Sequence, residues 1–139
     1  MGIRTIIFRG KRNDNGEWIE GGFYREESYD LKAESTYIIV GTQDCVGCAY
    51  KVIPETVGQY IGLTDKNGKK IFEGDIVGRY NVYRKRYFVG IVEYGEFNCS
   101  CCNGVYGWHF NNEDIREHDT YEVLGNIFDN PELLRGDGE

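Results

Sequence analysis

The stretch Val52 to Val77, VIPETVGQYIGLTDKNGKKIFEGDIV, decides how this chain folds. Val52-Ile53-Pro54 is the end of an apolar strand, stopped by a proline that has no N–H for a ladder. Tyr60 to Leu63 then runs into Asp65-Lys66-Asn67-Gly68. Asn-Gly between apolar runs predicts a two-residue type I′ hairpin, because both central residues need positive φ. Ile71-Phe72 follows, then a second turn at Glu73-Gly74-Asp75, and Ile76-Val77 opens a longer strand.

The rest of the chain repeats this grammar. Residues 3–9 read as a strand, Asn13-Asp14-Asn15-Gly16 as a turn, and Glu17 to Glu20 as the start of the return strand. Residues 25–35 are polar and charged and read as a loop or a short exposed helix. Tyr37 to Val40 and Ala49 to Ile53 are strands, with Thr42 to Gly47 as a loop between them. Ile76 to Tyr83 and Tyr87 to Tyr94 form a hairpin around Arg84-Lys85-Arg86. In Gly104 to Phe110 the set Tyr106, Trp108 and Phe110 alternates with Val105, Gly107 and His109, and the aromatic set is expected in the core. Asn111 to His118 is expected to form one helical turn behind an asparagine cap. Tyr121 to Phe128 is the last strand, and Asn130-Pro131 caps and opens a short terminal helix.

Composition agrees with a strand-rich fold. The 139 residues hold 19 glycines, 11 tyrosines and 7 phenylalanines but 2 prolines. Turn glycines with many aromatics favour sheets. The fold class expected is therefore mostly β. An N-terminal β subdomain over 1–51 packs on a small SH3-like barrel over 52–135 with a short terminal helix, and 136–139 is a disordered tail. The net charge of −7 disfavours broad non-specific binding to nucleic acid or anionic membranes. No stretch approaches the roughly 20 apolar residues that span a bilayer. The first residues are too short an apolar run for a signal peptide, which predicts a reducing cytoplasm and no membrane partner.

Three blocks of the chain resemble the YopX family of phage and prophage proteins. They are Phe8 to Trp18, Val52 to Tyr60 with Gly68 to Val77, and Glu122 to Leu134. The resemblance implies a phage or prophage protein acting in the host cytoplasm, and it carries no established biochemical activity. Residues 25–50 and 80–120 fall outside it.

Two features outside the resemblance carry chemistry. Cys45-Val46-Gly47-Cys48 and Cys99-Ser100-Cys101-Cys102 are two C-x-x-C pairs, both expected in loops. Cys45, Cys48, Cys99 and Cys102 together could give one structural zinc four thiolates, with Cys101 and His109 as substitute ligands. The separation of about 50 residues exceeds ribbon spacing, so unrelated cysteines or a disulfide within either pair stand beside zinc as readings. No other cofactor is expected.

The second feature is Arg79 to Phe88, RYNVYRKRYF, with four positive charges and no acid in an acidic chain. Arg79, Arg84, Lys85 and Arg86 can neutralise phosphate while Tyr83 and its neighbours offer faces for base stacking. Strand alternation, however, points Tyr80, Val82 and Phe88 inward, and a charged hairpin tip is an ordinary way to keep a turn in water. Electrostatic pairing with an acidic surface, such as a neighbouring subunit, is the favoured use. The chain has no P-loop, G-x-G-x-x-G, H-E-x-x-H or G-x-S-x-G. The expectation is a non-enzymatic homo-oligomer that binds a host or phage protein, with single-stranded nucleic acid as the alternative. A hydrolase using His109 or His118 as base is a third, weaker reading.

Overall fold

The computed structural model describes residues 6–26, 35–41, 46–97, 105–110, 113–115 and 121–134. These residues are mostly β strand, in antiparallel sheets. The chain divides into two units at Tyr60/Ile61. The sequence had placed a boundary at 51/52. The residues between belong with the first unit because Ile53 N–H donates to the Lys11 carbonyl (2.8 Å) and Tyr60 N–H to the Ile7 carbonyl (2.8 Å).

The first unit is an antiparallel sheet of β1 (Phe8–Lys11), β2 (Trp18–Glu26), β3 (Ser35–Gly41) and β4 (Val46–Lys51), ordered β4-β3-β2-β1 and then the start of β5 (Gly58–Thr64). Ile38 and Val52 are its buried apolar side chains. A Cβ on Gly10 would sit 3.0 Å from the Val52 side chain, closer than most such contacts, so β1 packs tightly at this glycine. The 3-10 turn Pro54–Thr56 is fixed to β1: the Lys11 N–H donates to Thr56 Oγ1 at 2.9 Å, and that hydroxyl donates to the Ile53 carbonyl.

The second unit continues β5 beside β6 (Lys70–Phe72), then forms two three-stranded sheets. One is ordered β12-β7-β8, from β7 (Asp75–Asn81), β8 (Arg86–Ile91) and β12 (Glu122–Asn126). The other is ordered β11-β10-β9, from β9 (Glu93–Phe97), β10 (Val105–Phe110) and β11 (Glu113–Asp114). Its core is Ile71, Val77, Val92, Phe110, Ile115 and Tyr121, with Ile61, Leu63, Trp108 and Val123 packed against it. Phe110 and Tyr121 meet edge to face at 5.4 Å. Among the described residues no sheet closes on itself.

Several expectations are corrected at this level. The Asn67-Gly68 turn is not type I′, since Gly68 has φ +82 and Asn67 is not at positive φ. The loop is one residue longer: Gly68 N–H donates to the Asp65 carbonyl and Asp65 N–H to that of Lys69. A type I turn followed by a left-handed glycine has this form. The expected helical turn at 111–118 is replaced at Glu113–Asp114 by strand β11, paired with His109 and Phe110; the remainder lies outside the described residues except the buried Ile115. The expected single strand 87–94 is divided at Val92, which lies between β8 and β9; its N–H donates to the Asp75 carbonyl at the start of β7 and its carbonyl accepts from Gly74 N–H. The terminal helix over 130–134 appears as a 3-10 turn, Pro131–Leu134.

Candidate binding surface

The hairpin β7–β8 places the basic–aromatic segment. Its register pairs Gly78 with Val89, Arg79 with Phe88, Tyr80 with Tyr87 and Asn81 with Arg86. Directly opposed residues share a face, so two sets separate. Arg79, Asn81, Arg86 and Phe88 lie on one face. Gly78, Tyr80, Tyr87 and Val89 lie on the other, joined by Glu122, which pairs with Gly78 across β12.

The two faces differ in what covers them. The Arg79 guanidinium sits 5.4 Å from the centre of the buried Tyr121 ring, and that of Arg86 sits 5.4 Å from the Phe88 ring. The opposite face starts buried at Ile76 and Gly78 and then emerges into solvent, with Tyr80 55% and Tyr87 46% exposed. The sequence had turned Tyr80 and Val82 inward, and both are exposed. Phe88, read on the same inward face, pairs with Arg79 and lies half-buried on the other one; Tyr80 keeps the face expected, but the strand outruns the core that was to cover it.

Gly78 explains how Tyr87 lies. A Cβ there would fall 2.1 Å from the Tyr87 hydroxyl oxygen, so the phenol rests in the space a side chain would occupy. This is the cross-strand aromatic cover that compensates a strand glycine. The Tyr87 hydroxyl reaches Glu122 at 3.3 Å, and Lys66 approaches the same carboxylate at 3.6 Å. Burial first, then the Glu122 charge and hydrogen bond, raise the Tyr87 pKa above its ordinary value of 10.0.

The tip is Val82 to Lys85, starting two residues and ending one residue before the Arg84–Arg86 turn expected. The Asn81 side-chain oxygen accepts from the N–H groups of Tyr83 and Arg84, both at 3.0 Å, and Lys85 takes the left-handed conformation at φ 54. The side chains of Val82, Tyr83, Arg84 and Lys85 are exposed, Tyr83 by 94%. Lys66, Gly78 to Tyr83, Tyr87 and Glu122 line a depression of about 390 Å³. The structure thus brings Tyr83, Arg84, Lys85 and Arg86 together at an exposed tip and turns Arg79 toward Tyr121. Sequence reasoning missed Tyr80, Tyr87, Lys66 and Glu122. The signal available for Tyr87 was Gly78 two residues from its cross-strand partner.

The other candidate residues are dispersed. Cys48 lies in strand β4 rather than in a loop, since the sheet keeps pairing to Val46 through a register shift at Val40/Gly41. Cys48 is disulfide-bonded. A disulfide sulfur and a zinc thiolate are mutually exclusive states of the same atom. Cys45, Cys99, Cys101, Cys102 and His118 lie outside the described residues. His109 is half-buried in β10. Among the described residues no three His, Cys, Asp or Glu side chains cluster as metal ligands, and no helix is long and apolar enough to cross a membrane.

Polar side chains in and beside the segments that carry the family likeness hold the backbone in place. Asp65, 1% exposed, accepts backbone N–H bonds from Asn67, Lys69 and Val123, each at 2.9 Å. Burial pushes its pKa up, but the donors from Val123, Lys69 and Asn67 and the Lys69 charge outweigh it, leaving the carboxyl below its ordinary 3.8. Asp75 accepts from Phe72 N–H at 2.8 Å across the Gly74 turn. Asn126 accepts from Phe128 and Asp129 N–H, and Asn130 accepts from Asn126 N–H.

These features define a small all-antiparallel β protein in two units. The chain belongs to the YopX family (YopX protein), which it matches over residues 7–135. Three solved chains match. One is the crystal structure of protein EF1440 from Enterococcus faecalis, 24% identical, with a TM-score of 0.52, covering 94% of this chain and 98% of that one. That similarity speaks for the fold alone. No curated protein matches.

Proposed function

We propose that this YopX-family chain is a non-enzymatic binding module, phage- or prophage-encoded, that works in the host cytoplasm as a homo-oligomer engaging a host or phage protein. The observation that carries it is the β7–β8 hairpin, where Tyr80, Val82, Tyr83 and Tyr87 stand exposed beside Arg84, Lys85 and Arg86. Tyrosine and arginine dominate binding energy at protein interfaces, because they offer large rigid area and directed hydrogen bonds. With −7 on the whole chain, the outside of a second copy is an acidic surface suited to a basic tip. The second unit is read as a small module of SH3-like type that presents this hairpin. Light scattering across a concentration series tests the reading. Self-association that weakens with salt, and that is lost in an Arg84→Glu, Lys85→Glu, Arg86→Glu variant, is expected. A wild-type monomer at every concentration would overturn it.

The outward turn of Tyr80 and Tyr87 supports a second reading, single-stranded nucleic acid stacked on the tyrosines with phosphates at Arg84 to Arg86. Its test is the salt slope of oligonucleotide binding, which must be steep and must flatten on charge reversal.

A further inference from the structure

A second cleft lies entirely within the first unit, away from the hairpin. Phe8 opposes Gly21 in the β1–β2 ladder, and Gly21, Phe23 and Arg25 fall on one face of β2. Arg25 opposes Thr36 on β3, so their Cβ atoms are about 5 Å apart on that face. Phe8 and Phe23 meet beside Gly21, with ring centres 5.5 Å apart. The opposite wall is Pro54, Glu55 and Val57, from the turn that Thr56 ties to β1. Together these residues enclose about 590 Å³, a volume typical of small-ligand sites.

The decisive group is Thr36. It is 4% exposed and lines the cleft, and its hydroxyl makes no hydrogen bond among the described residues. Buried hydroxyls in folded proteins nearly always have a partner, so Thr36 in the cleft wall offers a hydrogen-bonding group that a ligand atom can use.

We propose that this cleft binds a small monocarboxylate with an aromatic body. The guanidinium of Arg25 and the hydroxyl of Thr36 donate to the carboxylate oxygens, a charge-assisted arrangement. The ring packs on Phe8, Phe23 and Val57. Glu55 on the facing wall repels a second negative charge, which excludes dianions such as phosphate. The site is independent of the hairpin and does not rest on the binding reading above.

The test is an NMR titration of the full chain with 3-phenylpropionate, its neutral amide and inorganic phosphate. Saturable shifts at Phe8, Phe23, Thr36 and Val57 are expected with the acid. The amide should bind about tenfold more weakly, the loss of one charge-assisted hydrogen bond, and phosphate should leave these residues unmoved. Thr36→Val and the exposed Arg25→Gln should each weaken the acid by about tenfold. The acid–amide comparison needs no variant, and Arg25→Gln carries the test if Thr36→Val does not fold. A peptide ending in phenylalanine that binds more tightly than the free acid assigns the carboxylate to a chain terminus. One that binds no better assigns it to a free small molecule. Absence of saturable shifts at these residues, equal affinity for acid and amide, or undiminished binding by Arg25→Gln overturns the proposal.

Discussion

Replacing Asp65 with asparagine should cost the second unit about 3 kcal/mol at neutral pH, reckoned from the hydrogen bonds it disturbs. One carboxylate oxygen accepts from Asn67 and Lys69 N–H, and the other accepts from Val123 N–H. An amide presents one oxygen and one NH2 group. In its better orientation it keeps the two turn bonds and turns a donor toward the Val123 N–H. A buried donor left unpaired costs about 1–3 kcal/mol, and the two surviving bonds each lose roughly 1 kcal/mol as the acceptor becomes neutral. For a unit spanning Ile61–Glu139 that lowers Tm by about 12–24 °C.

The chain has 2 tryptophans, so a Trp18→Phe background leaves Trp108 to report the second unit during urea unfolding. The acid limb gives an independent check. The Asp65 pKa is lower in the folded protein than its ordinary 3.8. Its contribution is therefore full above that value and is lost as pH falls through the folded pKa. The gap between wild type and Asp65→Asn must narrow below about pH 4. A variant within 0.5 kcal/mol of wild type at pH 7, or a gap that stays constant through the acid range, refutes the assignment (about 0.5 kcal/mol is the scale of ordinary surface changes).

Other substitutions test separate parts of the scaffold. Gly74→Ala forces an L residue to φ +90 and should cost roughly 1–2 kcal/mol in the same urea assay. Gly78→Ala drives a methyl into the Tyr87 phenol, which must swing out and away from Glu122. Ultraviolet titration should then show the Tyr87 pKa falling back toward 10.0. Thr56→Val removes both the acceptor for Lys11 N–H and the donor to the Ile53 carbonyl. The first unit, followed through Trp18 in a Trp108→Phe background, should lose about 1–3 kcal/mol.

Much of the architecture is legible in local chemistry because the turns are made by residues whose backbone preferences are unambiguous. Gly16, Gly68 and Gly74 all hold positive φ at turns the sequence marks. What could not be read depends on partners distant in sequence. The length of the 65–69 loop is set by the Asp65 carboxylate, which also answers to Val123 some 58 positions away. Alternation along β7 separates Tyr80 from Arg79 but does not say which face the core covers. Burial of Gly78 and exposure of Tyr80 on the same face show that the answer changes within two residues. Cys48 is expected in a loop, yet β4 already runs from Val46, with Gly47 accommodated in it at φ 137. The Thr36 cleft left no local sign, since it needs β1, β2, β3 and the Pro54 turn at once.

The hairpin tip differs in kind from the polar positions that hold the scaffold. Asp65, Thr56, Asp75, Asn126 and Asn130 each spend their side-chain oxygens on the chain's own backbone. At the tip that duty falls to Asn81 alone, whose single oxygen holds the Tyr83 and Arg84 N–H groups. The side chains of Val82, Tyr83, Arg84 and Lys85 are thereby released from any part in the fold. A valine and a tyrosine held almost wholly in water favour association rather than solubility, and three adjacent cations on a chain of net charge −7 oppose its average sign. Folding stability accounts for neither choice. The binding surface proposed at residues 80–87 would account for both.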